Sequence, residues 1–252
     1  MLVSVNPRQR RAARHQLVAE TTPSRVRRAT PITVELILDT ALGIAAAEGY
    51  ETLSMRRLAT ALDTGPASLY AHVVDKADLD GLLIGRLCAN LELPEPDPIA
   101  WREQIHNMCA QIRDQYLKYP GISGAALAMF PTDLQTLRVS EAMLAILLAS
   151  GTDPQTAAWT ADALLLYIAG YCLENYILAQ RKNHNHADWI LDTEELHRQL
   201  TELPPEAFPH TTRYAAELTA GTGHDRFDFT VTLMLNGLAR PPKSELSNPK
   251  SR

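Results

Sequence analysis

Cysteine, aromatic side chains and long apolar runs are all scarce in this chain. Three cysteines occur in 252 residues, at positions 88, 109 and 172, each inside an apolar helical pattern. An odd number with no C-x-x-C pair argues against a disulfide framework or a zinc site, so they read as small core hydrophobes. No uninterrupted apolar run reaches the roughly 18 residues of a membrane span. The opening "MLVSVNPRQRRAARHQ" carries basic residues without an apolar segment behind them, unlike a signal peptide. A cytoplasmic chain with no membrane partner is therefore expected. There is also no Ser-His-Asp order, no nucleotide-binding glycine loop and no paired-carboxylate site, so neither an enzyme nor a cofactor is expected. The His-x-His pair in "NHNHADW" (183–189) and His197 lack a matching Cys or Asp set, and no metal site is assigned to them.

What is present is an apolar fraction of 46%, enough for a substantial core, and an uneven charge distribution. Residues 1–90 hold 11 Lys+Arg against 9 Asp+Glu, whereas residues 91–252 hold 13 against 20. Seven arginines (Arg8, Arg10, Arg11, Arg14, Arg25, Arg27, Arg28) face the single acid Glu20 within the first 30 residues. A basic front on an acidic body suits a polyanionic partner for the front alone, and a solvated idle arm accounts for the same residues equally well.

The periodicity predicts helices throughout. Residues 1–30 read as a flexible arm, after which Thr30 and Pro31 suit the start of a helix that Gly49 ends. Ser54 suits the N-cap of a short helix in "LSMRRLATALD". Pro66 stands at the first position of a shorter one, capped by Thr64 or Gly65, and Asp75 caps a longer one. "LELPEPDP" (91–98) has three prolines and no periodicity, and marks a boundary. Beyond it, helices are expected over 99–118, 131–149, 154–181, 193–202 and 225–239. The fold class is all-α: an arm (1–30), a three-helix front domain (31–91), a larger helical domain (92–240) and a disordered tail (241–252).

The tight turn at "DTG" joins two short helices as in a helix-turn-helix. In "TGPASLYAHVVDK", Leu69 and Val73 are four apart and face inward. That leaves Pro66, Ala67, Ser68, Tyr70 and His72 outside, small residues first, as a helix entering a major groove requires. Tyr70, His72 and Lys76 suit phosphate oxygens, and either Arg56 or Arg57 suits a phosphate or a guanine edge.

The stretch "LSMRRLATALDTGPASLYAHVVDKADL" resembles the DNA-binding domain of the TetR family of bacterial regulators through Leu69, Tyr70, His72, Val73 and Lys76. The resemblance places Arg56, Ala67, Ser68, Tyr70, His72 and Lys76 at DNA-contacting positions. Pro66 and Ala67 replace more polar residues of the tetracycline repressor, which shifts readout toward thymine methyls and DNA shape. "WREQIHNMCAQIRDQYLKYPGISG", "EAMLAILLASGTDPQTAAWTADALLLYIAGYCLE" and "FDFTVTLMLNGLA" are similar to a tetracycline-repressor-type C-terminal domain. This implies a ligand cavity and a homodimer formed through helices 154–181 and 225–239. It further implies a palindromic double-stranded operator and a repressor released by a small effector.

The helix at 154–181 supports the dimer independently. It is apolar on most of its circumference, so it needs burial on two sides. Met108, Ile112, Met129, Tyr167 and Tyr171 suit an apolar cavity, each of them equally at home in ordinary core. By the resemblance, Glu174 keeps a carboxylate position, while Ala126 stands where a metal-binding histidine would be and Met108 where a drug-binding asparagine would be. A mostly apolar effector without magnesium is the expectation.

Overall fold

The computed structural model describes residues 32–127, 133–183 and 193–238, and these are helical with no strand among them. The chain divides into two units. The first runs to Glu92 and takes in Asp114–Glu141; the second comprises Leu93–Arg113 and the residues from Ala142 onward.

In the first unit α1 (Val34–Glu48) begins three residues later than expected. Thr33, in extended conformation, is the N-cap rather than Thr30, its hydroxyl accepting the Leu36 amide at 3.1 Å. Thr30 and Pro31 lie outside the described residues. Gly49 (φ 87°) ends the helix, a backbone state that suits glycine. A 3-10 turn, Tyr50–Thr52, leads to α2 (Met55–Ala61), where the Ser54 hydroxyl accepts the Arg57 amide at 3.1 Å.

Asp63 carries the reversal into α3 (Pro66–Leu69) at φ 49°, a left-handed state that Asp tolerates better than most residues. Helix α4 (Lys76–Cys88) starts with reciprocal caps. The Asp75 carboxylate accepts the Asp78 amide at 2.7 Å, and the Asp78 carboxylate accepts the Val74 amide at 2.9 Å. Ile37, Ala41, Leu58, Leu69, Val73, Leu79 and Leu83 are buried and bind these helices into one core.

The chain continues through α5 (Trp101–Leu117), α6 (Ser123–Ala126) and α7 (Leu134–Ala149). In the first unit α6 packs against α4, and the Asp133 carboxylate accepts the Gln135 amide at 2.8 Å where α7 begins. The second unit is built on α8 (Pro154–Asn183), 30 residues and about 45 Å long at 1.5 Å per residue. It packs against α12 (Asp225–Gly237). Between them in sequence lie α9 (Thr193–Thr201), α10 (Pro209–Arg213) and α11 (Ala215–Leu218), which contact one another.

Helices α6, α10 and α11 are too short for a periodic signal and were not expected from the sequence. Contrary to the expectation of no span-like segment, Pro154–Arg181 is long and apolar enough by length and composition to cross a membrane. One face of this helix (Ala157, Leu164, Ile168, Cys172, Tyr176) is buried in the unit's core.

Candidate DNA interface and effector site

Helix α3 has one buried residue, Leu69, and Val73 is buried just beyond it. Pro66, Ala67, Ser68 and Tyr70 are exposed, and His72 and Lys76 are half-buried. Thus the small residues of the first turn stand clear on the surface while a single leucine anchors the helix.

On α2 the two arginines have separate fates. Arg57 is tied to Glu48 at the end of α1, its Nε donating to Oε2 at 3.2 Å. That pairing holds the Glu48 carboxyl below its ordinary range. Arg56 is exposed and its guanidinium has no ion pair among the described residues. Of the two, Arg56 is thus the one whose guanidinium is not engaged by a carboxylate among the described residues.

Lys76 is also engaged. Its Nζ donates to Tyr50 Oη at 2.6 Å, pairs with Asp80 one turn on, and stands 4.1 Å from the Tyr50 ring centroid. Tyr50 gave no signal in the sequence, because 26 positions separate it from Lys76. Burial first, and the Asp80 carboxylate beside it second, push the Tyr50 phenol well above its ordinary value.

In the second unit, a groove of about 370 Å³ runs between α8 and α12, lined by Tyr167, Gly170, Tyr171, Glu174, Arg226 and Thr230. Three of the sequence-selected ligand positions, Tyr167, Tyr171 and Glu174, therefore come together. Met108 and Ile112 on α5 do not join this lining; both are almost completely buried in core. Met129 lies outside the described residues.

The fully buried Phe227 packs behind the two groove tyrosines, its ring centroid 5.5 Å from that of Tyr167 and 5.0 Å from that of Tyr171. Tyr171 Oη is 2.8 Å from His224 Nδ1, and Tyr167 Oη donates to the Arg226 carbonyl at 3.3 Å. Burial raises the Tyr171 phenol above its usual value. Arg226 pairs with Glu174 across the groove. Behind Phe227, the buried Arg113 guanidinium stands 4.8 Å from its ring and 3.4 Å from Asp228. No cluster of three or more His, Cys, Asp or Glu that would hold a metal occurs among the described residues. The 183–189 histidines fall outside them, apart from the backbone of Asn183.

A helix-turn-helix with a bare-faced second helix, followed by an all-helical unit with a grooved long helix, defines a DNA-binding transcriptional regulator. Residues 37–79 match the family described as "Bacterial regulatory proteins, tetR family". Residues 93–241 match the "Tetracyclin repressor-like, C-terminal domain". The chain belongs to the TetR family.

Among solved structures it is similar to ActR from Streptomyces coelicolor in complex with actinorhodin. The identity is 32%, the TM-score 0.74, and the match covers 83% of this chain and 96% of that one. The same protein with (S)-DNPA gives 32% and 0.73, covering 83% and 98%. Among curated proteins, an HTH-type transcriptional regulator of Saccharopolyspora erythraea is 29% identical over 157 residues, 62% of this chain and 63% of that one. The HTH-type transcriptional repressor DrrR1 of Streptomyces coeruleorubidus is 35% identical over 103 residues, 39% of this chain and 36% of that one. The chain thus matches less than two thirds of the length of either curated relative. Both are described as HTH-type transcriptional regulators or repressors.

Proposed function

We propose that the chain is a repressor that binds a palindromic operator as a homodimer in the cytoplasm and is released by a small, mostly apolar effector. The observation that carries the DNA reading is α3, anchored by Leu69 with Pro66, Ala67, Ser68 and Tyr70 exposed. In this reading the first turn of α3 meets base edges. Tyr70, His72 and Lys76 hold phosphates, and Arg56 adds a phosphate or guanine contact.

The dimer reading is supported by a second apolar stripe on α8. Trp159, Ala163, Leu166, Gly170, Leu173 and Ile177 follow alternating steps of four and three, the spacing of a helix–helix seam. Trp159 is 60% exposed and Leu166 57%, and Phe229 and Leu233 on α12 are exposed as well. A second copy of the same two helices would cover them.

The effector reading rests on the aromatic groove between α8 and α12. That the similar protein ActR has been solved in complex with actinorhodin and with (S)-DNPA supports a small-molecule effector. An effector that prefers the DNA-incompetent state weakens operator binding by its affinity ratio for the two states. Two reading heads about 34 Å apart suit successive major grooves, so a small displacement disrupts both half-sites together.

Selection of the bound sequence from random DNA tests this. Enrichment of a two-fold-symmetric site, occupied by two chains, is the expected result. Recovery of a single asymmetric half-site bound tightly by one chain, or no enrichment, overturns it.

A further inference from the structure

Lys76 is a half-buried cation of the DNA-reading unit, and its surroundings are more ordered than a surface phosphate contact needs. Its ammonium has three N–H donors. One goes to Tyr50 Oη at 2.6 Å and one to the Asp80 carboxylate, while the Tyr50 ring supports the charge at 4.1 Å from its centroid. Asp80 is largely buried, with its side chain 17% exposed, so it cannot swing freely away. Tyr50 is itself fixed, because its amide donates to the Pro120 carbonyl at 2.8 Å within the same unit. A long lysine side chain ordinarily loses much rotamer freedom on docking when its ordering occurs only on binding. Here that ordering is already made.

We propose that Tyr50 and Asp80 are positioning residues for DNA docking: they hold the Lys76 ammonium in place, leaving its third N–H to meet an operator phosphate. The proposal rests on the reading of Lys76 as a phosphate contact. Two separable consequences follow. Tyr50 supplies orientation, so removing its hydroxyl costs affinity without changing the charge delivered. Asp80 supplies a counter-charge, so neutralising it increases the effective positive charge presented to DNA.

The test measures affinity and its salt dependence on the duplex selected from random DNA, for the full chain and for Tyr50→Phe, Asp80→Asn, Lys76→Ala and Tyr50→Phe/Lys76→Ala. Tyr50→Phe is expected to weaken binding about tenfold with an unchanged salt slope. Asp80→Asn is expected to steepen the slope by about one unit per subunit. Tyr50→Phe should have no further effect in the Lys76→Ala background, an outcome that a merely structural tyrosine would not give. Equal losses from Tyr50→Phe in both backgrounds, or wild-type affinity and slope in both Tyr50→Phe and Asp80→Asn, overturn the proposal. If Lys76→Ala alone leaves affinity and slope unchanged, the phosphate contact itself is misassigned, and the proposal falls with it. Failure of the protein to select any duplex would instead remove the repressor reading.

Discussion

Replacing Leu166 by Ala tests the two-copy arrangement of α8 and α12 with a magnitude that can be worked out in advance. Leu166 is 57% exposed in the single chain and lies midway along the apolar stripe that runs from Trp159 to Ile177. Fully burying a leucine side chain contributes about 2 kcal/mol, so covering the exposed part contributes about 1.1 kcal/mol. A two-fold axis makes every substitution count twice, giving about 2.3 kcal/mol per dimer. At about 1.4 kcal/mol per decade, the dimer dissociation constant should rise roughly 40-fold. Leu166→Glu should do more, because each subunit then brings a carboxylate into an apolar seam. Sedimentation equilibrium across a concentration series gives the constant directly, and operator binding should become concentration-dependent in step. Because the residue is exposed in the single chain, the thermal stability of the isolated subunit should hardly change. A Leu166→Glu protein that remained dimeric with an unchanged constant would refute the assignment of this face.

Four further outcomes are expected. Removing the groove hydroxyl with Tyr171→Phe breaks the 2.8 Å bond to His224; it should reduce the response to effector and leave basal operator affinity intact, checked by titrating DNA release. Asp75→Ala deletes the α4 cap and should cost about 1 kcal/mol in urea unfolding. Burial pushes the Cys88 and Cys109 thiols up to about 12 from an ordinary 9.0. Both stay protonated when folded while the unfolded thiols ionise, so stability present below pH 9 should fall as pH rises toward 12, and a flat stability profile across that window would count against this account. Finally, an added methyl at Gly85 would meet the Asp133 carboxylate within the first unit. Gly85→Ala should therefore stabilise by about 1 kcal/mol only in an Asp133→Ala background, where the helix preference for alanine acts unopposed, as a double-mutant cycle in thermal unfolding would read.

The reading head was legible because its signals are local. Ser54 and Asp75 each accept an amide three residues on, Gly49 donates to the Ala45 carbonyl four residues back, Pro66 sets the first-turn backbone, and the spacing of Leu69 and Val73 fixes which face is left bare. The start of α1 was misplaced for the same kind of reason: Thr30 and Thr33 offer the same hydroxyl, and only the backbone decides that Thr33 takes the Leu36 amide. What sequence could not supply was the partner of each charge. Arg56 and Arg57 are neighbours of identical chemistry, yet one side of α2 meets Glu48, nine residues before Arg57, and the other does not.

The groove illustrates a harder limit. Met108 and Ile112 have the right chemistry for a cavity wall, but apolar chemistry is equally that of a filled core, and which one a residue serves depends on whether another element arrives to cover it. On α8 the pattern is nearly apolar on all sides, so periodicity alone could not separate the face that meets α12 from the face left for a second copy. Two features on α8 do separate them. Tyr167 and Tyr171 carry hydroxyls that need partners when buried, and they find them at Arg226 on α12 and at His224, the residue just before it. Leu166 carries no polar atom and Trp159 only an indole N–H, and both stand outside. The tyrosine hydroxyls of α8 thus mark the side that meets its neighbour within the chain, while the side bearing Trp159 and Leu166 is the one a second copy would cover.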